Sequence, residues 1–265
     1  MTSIANPTAV LDTFTKFFRL IFKQGVKMEH INAPNNSVAK RKNLAEYLKM
    51  GCPKVNNDGE VVTPQLPECR LILGDGFLSV EEVARVYGWS YSDEQLEHFT
   101  ETLPDFEELM WLRSNGYMLV AGPPTEINLL EVRDLDNQLF YSKTEGWYAE
   151  DKHKFSREDK VPAGQWLKIR KDEVPNSFNK NLSEQQELVT EEEYVPNAPT
   201  VSYAVTAYYK VRGVYLLRGK YVRTSSVDAD GHRVFVGDFN EDGLFVNHCW
   251  DGSRDGDLGV SSARK

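Results

Sequence analysis

The last fifth of the chain, residues 214–265, constrains the fold more than any other part. Two Asp-Gly pairs, Asp230-Gly231 and Asp242-Gly243, separate short runs of Val, Phe and Tyr in this region. An Asp-Gly pair between apolar runs is typical of a tight turn that joins two antiparallel strands. The sequence therefore predicts an antiparallel sheet that contains residues 221–250.

The N-terminal half carries the start signals of several helices. Ser79 with Glu82 and Ser92 with Gln95 form capping boxes, in which each pair of side chains satisfies free backbone N–H groups. Residues 105–114 are predicted to form a further helix that ends at the Asn-Gly pair after it. The sequence thus predicts an α+β protein, with a helical N-terminal half followed by a C-terminal antiparallel β-sheet.

Short elements are predicted between these two regions from caps, breakers and apolar periodicity. They are a strand at 117–121, a helix capped by Thr125 that runs to about Asp134, a strand at 166–170, a helix that starts with the Ser183 and Gln186 capping box, and a helix at 200–212. The last segment is rich in Tyr and Val, which favours a strand, but its length and the glycine after it favour a helix.

Charge is distributed unevenly along the chain. Residues 1–54 contain nine Lys and Arg against three Asp and Glu, a net +6, while the remainder contains 22 against 37, a net −15. The chain is therefore predicted to consist of a basic helical arm, 1–54, and a main α+β domain, 55–265, whose β-rich part is 214–265. The arm is expected either to bind an external polyanion or to pack against the acidic body of its own chain.

An apolar stripe at helical spacing is predicted within the arm, after an Asn-Pro pair that suits the start of a helix. The stripe consists of Val10, Leu11, Phe14, Phe17, Phe18, Ile21 and Phe22. Basic residues occupy the opposite face, so the helix could lie on a membrane surface. Docking in a core, on a protein partner or on a second copy of the chain is the favoured interpretation.

Composition limits the partners and the compartment. The net charge of −9 argues against general nucleic-acid binding. No apolar run approaches the ~18 residues of a membrane span, and no signal peptide is evident. Cys52, Cys69 and Cys249 form no Cys-x-x-Cys pair, so reduced thiols in the cytoplasm are expected.

No motif in the sequence specifies a reaction. The patterns H-E-x-x-H, G-x-x-x-x-G-K-[ST] and G-x-G-x-x-G are absent, so neither a zinc protease nor a common nucleotide-binding loop is indicated. The first hypothesis is therefore a cytoplasmic binding or interaction protein without catalytic activity or cofactor, in which the apolar stripe contacts the partner. Whether the protein is an enzyme is left open.

The turn at 238–243 also matches the first half of a calcium-binding loop, in which alternate oxygens face the ion. Cys249 stands at the position where that loop requires a bidentate glutamate. A hairpin turn explains the same residues, so calcium is not the favoured ion.

Two histidines are predicted on the two strands of this hairpin. The expected register places Val236 opposite His248, and it places His232, His248, Asp238 and Trp250 on one face of the sheet. The alternative is a polar sheet face with solvated turns.

These residues give the second hypothesis, a metal-dependent hydrolase or another enzyme that uses the C-terminal Asp and His cluster. Carboxylates and neutral imidazoles bind divalent transition metals, so such an ion is the candidate cofactor. His248 is expected to act as a ligand or general base, and Arg254 to pair with an anionic substrate. The candidate ligands are Asp228, Asp230, His232, Asp238, Asp242, His248 and Asp251.

Four segments carry a resemblance to a known group of proteins. They read NGYMLVAGPP, YYKVRGVYL, YVRTSSVDADGHRVFVGDF and LGVSSARK. Together they resemble a family of uncharacterised bacterial proteins over most of the chain. The resemblance implies a bacterial, self-contained protein and transfers no catalytic or binding residue.

Overall fold

The computed structural model describes residues 64–265. The predicted basic arm, 1–54, and its apolar stripe from Val10 to Phe22 lie outside the described residues. The arm and its partner therefore stay predictions.

The described part contains eight α-helices and nine strands, and the predicted α+β class is confirmed. The helices are α1 Leu66–Leu73, α2 Val80–Tyr87, α3 Asp93–Glu101, α4 Phe106–Ser114, α5 Leu129–Leu135, α6 Phe155–Glu158, α7 Leu182–Gln186 and α8 Ala198–Arg212. The strands are β1 Phe77–Leu78, β2 Tyr117–Ala121, β3 Trp166–Arg170, β4 Glu193–Tyr194, β5 Tyr221–Val227, β6 Arg233–Asn240, β7 Gly243–Cys249, β8 Leu258–Val260 and β9 Ala263–Arg264.

The strands form two sheets. The first has the order β1-β2-β3-β9-β4, with β1 and β2 parallel and the other pairs antiparallel. The second has the order β7-β6-β5-β8. Its β5–β6–β7 part is the predicted antiparallel sheet, and β8 adds a parallel strand at one edge.

Most of the predicted helix starts are confirmed. Ser79 accepts the N–H of Glu82 and Ser92 accepts the N–H of Gln95, each within a complete capping box. The side chain of Asp105 caps α4 by accepting the N–H of Glu108. These caps depend on residues three positions apart, so the sequence alone is sufficient to locate them.

Two predicted helix starts are wrong. Helix α5 begins after Asn128, not Thr125, because Ile127 still pairs with Val161 as extended chain. Helix α7 is capped by Asn181, which exchanges hydrogen bonds with Glu184, so the box lies two residues before the predicted one.

Helix α8 is the central element of the core, and the helix predicted at 200–212 is confirmed. Every residue from 198 to 208 is buried, which is typical of a helix enclosed on all sides. It packs against α2 and α5, against β3 of the first sheet and against β5 and β6 of the second. The hydroxyl of Tyr203 donates to the carbonyl of Ala121 in β2 at 2.6 Å.

The β6–β7 hairpin has a different register from the one predicted. Val234 lies opposite His248, and Val236 lies opposite Val246. The turn residues are Glu241 and Asp242, and a bulge between Gly237 and Asn240 places an additional residue in β6. A bulge changes the side-chain alternation after it, and periodicity alone does not reveal it.

Gly237→Ala is expected to destabilise the fold by about 1–3 kcal/mol, because a Cβ there has no room. It would overlap the carbonyl of Lys220 and lie 2.6 Å from Cα of Tyr221, and both are backbone atoms. Urea unfolding followed by circular dichroism measures the change. The control is Gly252→Ala, where no atom lies within 4 Å. Equal stabilities for the two variants would contradict the observed packing at the bulge.

Candidate metal centre

The turn between β5 and β6 is built around the carboxylate of Asp228. Its Oδ1 accepts the backbone N–H groups of Asp230 and His232, each at 2.8 Å. The Asp228 N–H donates to the His232 carbonyl at 3.0 Å. Gly231 has a φ of 86°, a left-handed conformation that glycine adopts without a side-chain clash. The predicted Asp-Gly turn is confirmed, and it sets the direction of the second carboxylate oxygen.

That second oxygen, Oδ2, lies beside two imidazoles. It is 3.2 Å from Nδ1 of His232 and 3.0 Å from Nδ1 of His248. The two Nδ1 atoms are 3.1 Å apart. The Asp228 side chain is fully buried, whereas the His232 and His248 side chains are 14% and 34% exposed. The three atoms thus form a nearly equilateral triangle that solvent can reach from the His248 side.

The hairpin brings the two imidazoles onto one face of the sheet. His248 pairs with Val234 in β6, so His232, two residues before Val234, points to the same side. The two imidazole centroids are 5.1 Å apart, and the Trp250 ring lies 4.1 Å from that of His232. The prediction that both histidines share a face with Trp250 is confirmed.

Asp238 does not join this face, and the prediction that placed it there is wrong. It lies within the bulge with a φ of 40°. Its Oδ1 accepts the Gly219 N–H at 3.0 Å, and the Tyr221 hydroxyl lies 3.4 Å from its Oδ2. The bulge directs this carboxylate toward the loop before β5 instead of the histidines.

The other sequence-predicted ligands are also apart from the triangle. Asp230 and Asp242 are exposed in turns. Asp251 faces Arg233, with Oδ1 and Nε 3.6 Å apart. Arg254, the predicted partner of an anionic substrate, pairs with a glutamate of α7 at 2.6 Å. Within residues 64–265, the structure brings together three of the seven candidates.

Two aromatic residues from the middle of the chain border the triangle. The Trp147 ring lies 4.5 Å from that of His248, and its Nε1 donates to the Val246 carbonyl at 3.0 Å. His153 is 3% exposed, packs edge-on against Trp147 at 4.8 Å, and accepts the Ala229 N–H through Nδ1 at 3.3 Å. Sequence reasoning missed both, because their contacts with the hairpin region span 99 residues for Trp147 and 76 residues for His153, and no local motif links segments so far apart.

The charge state of the site follows from its hydrogen bonds. Burial raises the pKa of Asp228, but the backbone N–H groups of His232 and Asp230 and the His232 ring outweigh it, so the pKa lies below its usual value. Burial lowers the pKa of His153, and nearby Lys152 lowers it further. At neutral pH the site therefore has an ionised Asp228 beside a neutral His153.

The dimensions of the triangle suit a small divalent ion. Metal–ligand distances of 2.0–2.1 Å in a tetrahedral site place the ligand atoms about 3.3 Å from one another, close to the observed 3.0–3.2 Å. Without an ion, either both Nδ1 atoms donate to Oδ2 and two donors face each other at 3.1 Å, or one Nδ1 carries no proton and its lone pair faces the carboxylate oxygen. A cation removes this conflict because it accepts a lone pair from each of the three atoms.

The remaining ring nitrogen of His232 has a different environment. Its Nε2 is buried and has no hydrogen-bond partner. The orientation of this ring is thus set by Asp228 on one side and by the Trp250 indole on the other.

A large cavity lies in another part of the described chain. It has a volume of about 730 Å³ and is lined by residues that include Trp166, Lys168, Glu108 and Arg264. None of Asp228, His232 and His248 lines it. Four of the charged side chains around it pair with one another, since Glu108 contacts Arg264 at 2.8 Å and Lys168 at 3.1 Å, and Arg264 also contacts Glu192 at 2.7 Å.

No protein-family model, curated protein or solved structure matches this chain. Among the described residues, no helix has the length and apolar character needed to span a membrane.

Asp228→Asn is expected to lower the free energy of unfolding at pH 7 by about 1–3 kcal/mol, because a buried charged hydrogen-bond acceptor is lost. The folded pKa of Asp228 is depressed, so its stabilisation is present above the unfolded value near ~3.9. It is lost as pH falls through the folded value. The difference in unfolding free energy between Asp228→Asn and the wild type should therefore decrease toward pH 3. Urea unfolding with a chelator present measures this difference.

The matched control for this experiment is Asp230→Asn, because Asp230 is exposed in the same turn. This variant should differ from wild type by less than about 0.5 kcal/mol. If the difference in unfolding free energy between Asp228→Asn and the wild type stayed constant from pH 7 to pH 3, it would contradict the stabilising role of the Asp228 charge.

Proposed function

We propose that this protein binds a divalent transition metal ion through Asp228 Oδ2 and the Nδ1 atoms of His232 and His248. The single observation that carries the proposal is the triangle of these atoms, with sides of 3.0, 3.1 and 3.2 Å. It is assembled from a buried carboxylate and two half-buried imidazoles, which are ligands that zinc, iron and manganese accept in proteins.

The composition of the triangle favours such ions over calcium. Calcium takes six to eight oxygen ligands, whereas two of the three atoms here are nitrogens. One carboxylate leaves a divalent ion with a net positive charge, and three protein ligands leave at least one coordination position for water. A metal with an open position can lower the pKa of bound water, so metal-dependent hydrolysis is the catalytic function that this ligand set supports.

Zinc titration by calorimetry should give about one binding event per chain at pH 7.5. The event should be lost in the variant that combines His232→Ala with His248→Ala, because two of three ligands are removed. At pH 5.5 the affinity should be lower, because a metal ion binds the unprotonated form of its ligands and protons compete with it. Calcium and magnesium should give little heat.

The control for these titrations is His98→Ala, which removes an exposed histidine of α3 outside the cluster. It should bind zinc as the wild type does. Equal heats for the wild type and the double variant, or no heat with zinc, manganese or cobalt, would end the metal proposal.

The apolar stripe supports a second function, the binding of a protein partner or of a second copy of the chain. Seven apolar residues between Val10 and Phe22 recur at helical spacing in a segment with an excess of positive charge. We propose the cytoplasm as the location of this function, since the cysteines of the described part, Cys69 and Cys249, are free thiols, as is usual in that compartment.

Light scattering of the intact chain and of a truncation that begins at Ala33 tests self-association. The intact chain should be larger than a monomer, because a large apolar surface on a protein is typical of an interaction site. The truncation lacks the stripe and should therefore be monomeric. If both proteins are monomeric and equally soluble, the stripe is not a self-association surface.

A further inference from the structure

We propose that His153 is a positioning residue of the metal centre, which holds the Asp228 turn in its ligand geometry through the N–H of Ala229. This inference rests on the proposed metal binding, and it concerns a residue that is not itself one of the three ligands. It assigns a role to a buried histidine far from the hairpin in sequence.

The hydrogen bonds of the turn single out this contact. The five backbone N–H groups from 228 to 232 all have acceptors. Four of these N–H groups donate to three acceptors within the turn: the Asp228 carbonyl, the His232 carbonyl and Asp228 Oδ1, which accepts twice. The N–H of Ala229 alone donates outside the turn, to Nδ1 of His153 at 3.3 Å. His153 thus anchors the turn to the rest of the domain, next to the residue that supplies the carboxylate.

His153 is itself held in place. Its N–H donates to the Glu150 carbonyl at 3.0 Å, and its carbonyl accepts the Ser156 hydroxyl at 2.8 Å. Its ring packs edge-on against Trp147 at 4.8 Å, and Trp147 also contacts the ring of His248 at 4.5 Å. His153 therefore contacts two parts of the structure that border the triangle: the turn that carries Asp228, and the Trp147 indole that packs on His248.

The chemistry of the contact defines a matched pair of variants. Because Nδ1 accepts a hydrogen bond, it carries no proton in this arrangement. His153→Phe keeps an aromatic ring against Trp147 but removes the acceptor. His153→Asn loses the ring but keeps an oxygen close to the Nδ1 position. A role in positioning the turn requires the acceptor, whereas a role in packing requires the ring.

Zinc dissociation constants at pH 7.5 test the proposal, measured by competition with a chelating dye. His153→Phe should raise the constant about tenfold, the usual effect of losing a group that orients metal ligands. His153→Asn should recover most of the affinity. Cobalt should give the same absorption spectrum in both variants and the wild type, because the three ligands are unchanged. If His153→Phe does not fold, His153→Leu takes its place in the comparison.

The outcomes separate this inference from the proposed function. If the wild type binds zinc and His153→Phe binds it equally well, His153 has no positioning role and the metal proposal stands. If His153→Phe and His153→Asn lose affinity equally, ring packing is what matters and the inference fails. If the wild type binds no metal, both proposals fail together.

Discussion

The fold depends on the burial of helix α8, in which every residue from 198 to 208 is buried. Both sheets and two helices pack on it. Its buried Thr206 hydroxyl is satisfied within the helix, because it donates to the Ser202 carbonyl at 2.8 Å. At the C-terminal end of the helix, Arg212 pairs with Glu82 of α2 at 2.7 Å. Burial raises the pKa of Glu82, but the hydrogen bonds from Arg212 and Arg70 outweigh it and lower this pKa to about 2. Because β5 and β6 lie on this helix, one face of the second sheet is directed inward, and the histidines are at the end of that face.

The proposed metal centre uses one carboxylate in two ways. Asp228 Oδ1 accepts the N–H groups that shape the turn, and this leaves Oδ2 for the imidazoles. The ligands therefore need no separate loop: two lie at the ends of one tight turn, and the third lies on the neighbouring strand. A bound ion would join the edge strand β7 to the β5–β6 connection, so metal binding and hairpin stability are expected to be linked.

The support of the site comes from a different part of the chain. Trp147 and His153 lie in a polar segment of short turns. Two hydrogen bonds join this segment to the hairpin region: Trp147 donates to the carbonyl of Val246, and His153 accepts the N–H of Ala229. Loss of a group that orients metal ligands typically lowers metal affinity by about 10- to 100-fold. These segments are far apart in the sequence. Motifs in the sequence therefore reveal His232 and His248 of the hairpin but not His153.

Local chemistry determined much of this protein from its sequence alone. The capping pairs Ser79 with Glu82 and Ser92 with Gln95, the Asp-Gly turns and the shared face of His232 and His248 depend on residues within one turn or one hairpin. Only the tertiary structure decided the bulge that removes Asp238 from that face and the contact of His153 with the Asp228 turn. The physical reason is that the bulge and the His153 contact both depend on packing between segments that are distant in the sequence. The bulge requires Gly237 to lie against the backbone of a neighbouring strand, and the N–H of Ala229 finds its acceptor in a segment far away in the chain.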